Sequence, residues 1–184
     1  MVSIKKISAG LIVTVLMLSG LTVSAQENNF SFGFNFEKNK NDESLGFNVT
    51  SPYIKKSLAL RLAWNTHKFD YIPLDEVKIK QSDYHSFRLG ITGRYPAITE
   101  VIYPYFNGGA IGVIPHSHFS DREFQAGVFL SIGFEAFSKN FRKMSWFAEG
   151  GMVSISDSKK ERGVDSKEYA YMQFAFGTRF YLGK

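Results

Sequence analysis

The sequence predicts an all-β fold, an eight-stranded antiparallel up-and-down transmembrane β-barrel. The first observation behind this is alternation. Phe30, Phe32, Phe34 and Phe36 recur at every second position, as do Leu58, Leu60, Leu62 and Trp64. The longest run is Phe124, Ala126, Val128, Leu130, Ile132, Phe134 and Ala136. A period of two places each set on one face of a β-strand. The second observation is the opposite face, which carries Ser31, Gly33 and Asn35, or Gln125, Gly127 and Ser131, in place of a Lys/Glu coat. An apolar face without charge, backed by small polar residues, suits a wall with lipid outside and a polar lumen inside. The third observation is an export leader.

The leader comes first in the chain. Lys5 and Lys6 form a positive start, Ile7 to Leu21 is apolar with Ser, Gly and Thr interruptions, and Val23-Ser24-Ala25 is a small-x-small cleavage site. This is the anatomy of a secretory signal peptide over residues 1–25. The apolar run falls short of the roughly 20 residues a spanning helix needs. No Cys stands near the site, which excludes a lipoprotein anchor there. Removing the 25 leader residues from 184 leaves 159, one domain's worth, as residues 26–184. Taking Lys5 and Lys6 from the 22 basic residues leaves 20 against 17 acidic ones. A net charge of +3 without a basic stripe or helix gives no nucleic-acid footprint. There is no cysteine, so stability must come from a core or a membrane.

The strands follow at 29–37, 44–50, 57–66, 84–95, 101–113, 123–136, 144–155 and 168–181. An even number returns both termini to one side, as single-chain bacterial barrels require. The connections alternate in length. Those at 38–43, 67–83, 114–122 and 156–167 are assigned to the outer side, and those at 51–56, 96–100 and 137–143 to the periplasmic side. Pro52 and Pro96 fall in the short turns, where a missing N–H is harmless. Val77-Lys78-Ile79-Lys80 is expected to continue the wall above the membrane. The fifth strand alternates least clearly. Its Gly108, Gly109 and Gly112 lack the strand-to-helix switch of a phosphate cradle, so they are expected to mark bulges or wall curvature.

Orientation rests on charge. Roughly thirty outward positions outside the fifth strand carry none, about one chance in a thousand at the chain's 21% charged content. Glu37, Arg61, Arg88, Arg94, Glu135, Glu149 and Arg179 all fall on the opposite phase, where they are candidates for an interior ion-pair network. An eight-stranded barrel is just wide enough for side chains to fill it, so no open pore is expected. A soluble ligand-binding barrel would invert the phases and need a Lys/Glu exterior. Trp64, Tyr95, Trp146 and Phe180 are placed near strand ends as an interfacial aromatic belt.

The last strand, Tyr171-Met172-Gln173-Phe174-Ala175-Phe176-Gly177-Thr178-Arg179-Phe180, alternates towards a terminal aromatic. It resembles the sorting signal of outer-membrane proteins, although Tyr181-Leu182-Gly183-Lys184 follow it. With the leader and the eight strands, the mature chain resembles the small outer-membrane barrels of the OmpX and OmpA-domain type. That resemblance implies a Gram-negative cell envelope, outer-membrane lipid as surroundings, and the barrel-assembly machinery as a partner during biogenesis. A peptidoglycan-binding domain after the barrel is not expected, and with it no OmpA-like anchoring role.

Two clusters invite a chemical reading. His116-Ser117-His118-Phe119-Ser120-Asp121 offers Ser, His and an acid in the third outer loop, with His116 and His118 two apart as metal ligands. Two histidines are a weak metal signal, and His116, His118, Ser120 and Asp121 are read in preference as a polar surface loop. Glu135 and Glu149 could pair for glycoside cleavage, but that needs a cleft that admits sugar. The expectation is therefore no catalytic residues, no metal and no cofactor. The chain reads as an integral barrel whose outer loops contact a protein or surface partner. A lipid-modifying enzyme and a narrow, porin-like solute or ion channel stand as alternatives.

Overall fold

Lipid or water on one side and a crowded lumen on the other force each alternating stretch into an extended chain, and eight such chains pair edge to edge until no edge is left. The computed structural model describes residues 29–39, 42–71, 80–115, 124–137, 143–156 and 168–182. The strands are β1 (Ser31–Asn39), β2 (Asp42–Thr50), β3 (Leu58–Tyr71), β4 (Lys80–Arg94), β5 (Ile102–Ile114), β6 (Gln125–Phe137), β7 (Met144–Ser156) and β8 (Glu168–Tyr181). They form a closed barrel in chain order. Every neighbouring pair is antiparallel, and the seam runs from Ser31 opposite Tyr181 to Asn39 opposite Gln173. Closure satisfies every backbone group at the wall, which a lipid environment demands.

The alternation sorts side chains as expected. Leu60, Leu130 and Phe176 point outward, while Arg88, Glu149 and Arg179 are buried inside. The outward positions from Phe32 to Phe36 on β1 and from Leu58 to Trp64 on β3 are all apolar. Rings pair across strands on this surface: Phe32 with Phe180 at 5.4 Å, Phe34 with Phe47 at 5.7 Å, and Trp64 edge-on to Phe87 at 4.1 Å.

Three details differ from the sequence reading. First, several strands run further at the end away from the termini. β1 and β2 are separated only by residues 40–41, and β3 and β4 continue to Tyr71 and Lys80. The outward positions on these extensions are charged: Lys38, Glu43, Lys68 and Asp83. Charge there suggests a loop when only the sequence is read, but it marks the upper limit of the apolar band. Trp64 consequently sits mid-strand, whereas Tyr95, Trp146 and Phe180 lie at the end that carries the termini. Second, β5 alternates fully. Its register against β4 and β6 is unbroken, so of the two readings offered for its glycines, bulges or wall curvature, no bulge is found. Gly108 and Gly112 face outward, where a Cβ would meet Leu130 and the Phe124 ring, so side chains of β6 and its approach roof the glycines. Third, the lumen is not polar throughout. Ile111, Val113, Phe129, Val153 and Ile155 form an apolar cluster inside β5, β6 and β7 towards the end away from the termini, with Tyr84 and Tyr171 packed against it.

The β2–β3 turn carries local strain. Lys55 and Lys56 both have positive φ, 49° and 66°, and Ser57 N–H donates to Ile54 O at 3.2 Å. Two left-handed residues match the twist of a hairpin, but lysine carries a Cβ penalty there. Lys56→Gly is expected to stabilise the barrel by about 0.5–1 kcal/mol after allowance for glycine's greater unfolded-state freedom. The check is the denaturant midpoint in vesicles, and a fall in midpoint would contradict the strain reading.

Candidate functional site in the barrel lumen

Inward phase on six of the eight strands brings all seven ionisable candidates onto the lumen wall, where they are buried. They stack in tiers along the axis. Nearest the termini, Glu135 on β6 is fully buried. Its carboxylate accepts from Arg94 Nη2 at 2.6 Å, Ser145 Oγ at 2.6 Å and Tyr181 Oη at 2.5 Å. Arg179 stands 3.4 Å away as a second cation. In the middle tier, Glu149 accepts from Arg61 Nη1 at 2.9 Å and Tyr105 Oη at 2.7 Å. The Arg61 and Arg179 guanidiniums face the Phe147 ring at 5.3 and 4.4 Å. Above it, Arg88 grips Glu37 with two parallel bonds of 2.9 and 2.7 Å and donates to Gln173 at 2.9 Å. Asn35 and Asn65 also donate to Glu37, at 3.0 and 3.3 Å. A carboxylate fed by several donors has its lone pairs satisfied, which is the condition for burying a charge. Between the upper two tiers lies a cavity of about 10 Å³, lined by Glu37, Arg61, Ala63, Arg88, Asn107, Phe129 and Glu149, room for about one water.

This geometry bears on the carboxylate-pair idea. Glu135 and Glu149 each have their own cation and their own phenol, and the cavity described above would not admit a sugar ring.

The loop cluster His116, His118, Ser120 and Asp121 lies outside the described residues, as do the leader and the Val77-Lys78-Ile79 segment. Instead, the register of β2, β3 and β4 brings a different serine, histidine and acid together at the end of the lumen away from the termini. His67 shares a 2.8 Å hydrogen bond with Ser86 Oγ through Nε2, and its Nδ1 lies 3.7 Å from Asp42 Oδ1. Tyr84 stacks flat on the imidazole at 4.3 Å and donates its hydroxyl to Asp42. A reactive serine needs an open face and donors aimed at an oxyanion. Ser86 is 0% exposed and His67 2%, and the Ser86 backbone sits in the ladder between Asn65 and Val113. The arrangement ties three strands together. Ser86→Ala strands a buried imidazole nitrogen and is expected to cost about 1–3 kcal/mol, read from unfolding midpoints, with no change below 0.5 kcal/mol consistent with that role. Among the described residues, no group of three or more His, Asp or Glu could hold a metal ion.

A residue outside the strands also enters the lumen. Tyr53, in the β2–β3 connection, is only 3% exposed. Its ring lies 4.3 Å from the Arg94 guanidinium. Burial, and then the Glu135 charge, push its phenol upward against the opposing pull of Arg94. Sequence reading placed residues 51–56 in a turn and had no signal for a side chain folding back inside.

A closed barrel with an apolar outside and an ion-paired inside has the architecture of the small eight-stranded outer-membrane β-barrels. Comparison with solved structures finds that fold. The N-terminal β-barrel domain of Pseudomonas aeruginosa OprF aligns with a TM-score of 0.57 at 11% identity, over 85% of this chain and 98% of that one. Outer membrane protein AlkL, solved in DMPC lipid bilayers, aligns with a TM-score of 0.50 at 10% identity, over 90% and 95%. No protein-family model matches the sequence. No curated protein matches it either.

Proposed function

We propose that this chain is an integral protein of the bacterial outer membrane, exported by a leader spanning residues 1–25 and inserted by the barrel-assembly machinery. Its role is structural and surface-interacting, with the outer loops as the contact surface for a protein or surface partner. It carries out no catalysis and holds no open pore. The observation that carries this reading is the pairing of two opposite surfaces on one wall. Phe34, Leu60, Leu130, Ile132 and Phe176 stand exposed on the outside, while Arg88, Glu135, Glu149 and Arg179 are buried inside. In water this distribution would expose grease and bury charge, whereas in lipid both faces are satisfied. The AlkL structure in lipid bilayers supports the same surroundings.

The test is fractionation of the expressing cells, followed by gels of unboiled and boiled protein. Recovery with the outer membrane, and migration that changes on boiling, are expected. Extraction without detergent would overturn the reading. Planar-bilayer recording on refolded protein is expected to show no discrete conductance, because three ion-paired tiers occupy the lumen. Steady single-channel steps would favour the channel alternative.

A further inference from the structure

Among the described residues, Tyr53 is the single buried side chain that no strand contributes. It reaches into the end of the barrel that carries the termini, beneath the Glu135 tier. Arg94 lies over its ring at 4.3 Å, and Arg94 also faces Tyr103 at 4.8 Å and Phe137 at 5.4 Å. Phe137 in turn stands 5.2 Å from Tyr181, whose hydroxyl donates to Glu135. The result is a layer of rings around one guanidinium, closing the lumen below its most buried carboxylate. Backbone bonds on both sides hold the turn in place, from Ser51 N to Leu60 O at 2.8 Å and from Ile54 N to Leu58 O at 2.6 Å. The Tyr53 hydroxyl itself is buried without a hydrogen-bond partner. Ring packing and the cation–π contact hold the side chain.

We propose that Tyr53 is the seal of this end of the barrel, a stopper whose aromatic ring keeps water and small solutes away from the Glu135–Arg94–Arg179 network. Tyr103, Phe137 and Tyr181 of the strands supply part of this layer, and one turn residue completes it. This goes beyond the proposed role and does not depend on which membrane holds the protein.

The chain has no cysteine, so a single introduced thiol is a clean probe. Ser145→Cys places it beside Glu135, at a position that is 0% exposed. Labelling by methyl methanethiosulfonate, a small neutral reagent, is followed by mass spectrometry on protein refolded in detergent, with migration before and after boiling as the check of folding. With Tyr53 present, labelling is expected to be slow relative to the unfolded chain. Adding Tyr53→Ala should accelerate it by about tenfold or more, the scale of an opened local barrier. Tyr53→Phe, which keeps the ring and removes the unpartnered hydroxyl, should leave the slow rate unchanged. If Tyr53→Ala does not fold, Tyr53→Leu, smaller than the ring but still apolar, should give a measurable acceleration. Fast labelling with Tyr53 in place would overturn the proposal, as would equal slow rates for the folded Tyr53→Ala or Tyr53→Leu variant.

Discussion

Glu149→Leu is expected to destabilise the folded barrel by about 3–5 kcal/mol, because removing one partner of a buried pair strands the other. The stranded groups are Arg61, whose Nη1 bonds the carboxylate at 2.9 Å, and the Tyr105 hydroxyl at 2.7 Å. Arg61 Nε already lacks a hydrogen-bond partner, so that guanidinium has little to fall back on. The cycle closes with Arg61→Leu/Glu149→Leu. Two apolar residues of similar volume remove the buried charges together, and the double variant is expected to recover most of the loss or to exceed the parent. Equilibrium unfolding in vesicles measures all three. A single-variant change near zero would mean that Glu149 is hydrated, and the filled lumen would then be wrong.

Leu130→Arg is expected to cost about 2–4 kcal/mol, the penalty for arginine near the midplane on the lipid face of a barrel. Leu130 is 61% exposed, sits in the middle of β6 and lies between Gly108 and Met152. On a water-facing wall, an exposed Leu→Arg change away from any special feature falls within about 0.5 kcal/mol. The same substitution thus discriminates lipid from water outside. The comparison position is Lys68, outward on β3 and already charged, where Lys68→Arg is expected to have no measurable effect.

Much of the barrel was legible because a period of two is readable one strand at a time. Phe124 to Ala136 fixes the phase of β6, and once the phase is fixed Glu135 must face the lumen. What no single strand reveals is how neighbours align. Ser86, His67 and Asp42 meet only because β2, β3 and β4 pair in one particular register, with Ser44 opposite His67 and His67 opposite Tyr84. β5 was hard to read because glycine and proline carry no hydropathy signal. Its outward Pro104, Gly108 and Gly112 belong to the apolar face only through the side chains that cover them. Ile111 and Val113 carry no readable phase because Ala110 and Ile114 make the other face of β5 apolar as well, and Val153 and Ile155 alternate with Ser154 and Ser156, which read as a lumen face although they point outward. Tyr53 escaped because its position follows from a turn's backbone course and not from any alternation.

None of the principal ion pairs joins strands that are neighbours in the sheet. Arg88 of β4 reaches Glu37 of β1 across 51 residues, and Arg94 of β4 reaches Glu135 of β6 across 41. Arg61 of β3 reaches Glu149 of β7 across 88 residues, along a diameter of the ring. Arg94 and Glu135 bridge only β5, so a partly curled sheet can already hold that pair, whereas the Arg61–Glu149 chord joins strands four apart on the ring. The Arg61–Glu149 chord needs the wall to curve round almost to closure, so it belongs to the last contacts to form. Contacts made that late speed folding little and slow unfolding fully. This chord therefore acts as a clasp, and its main effect is on how long the finished ring stays shut.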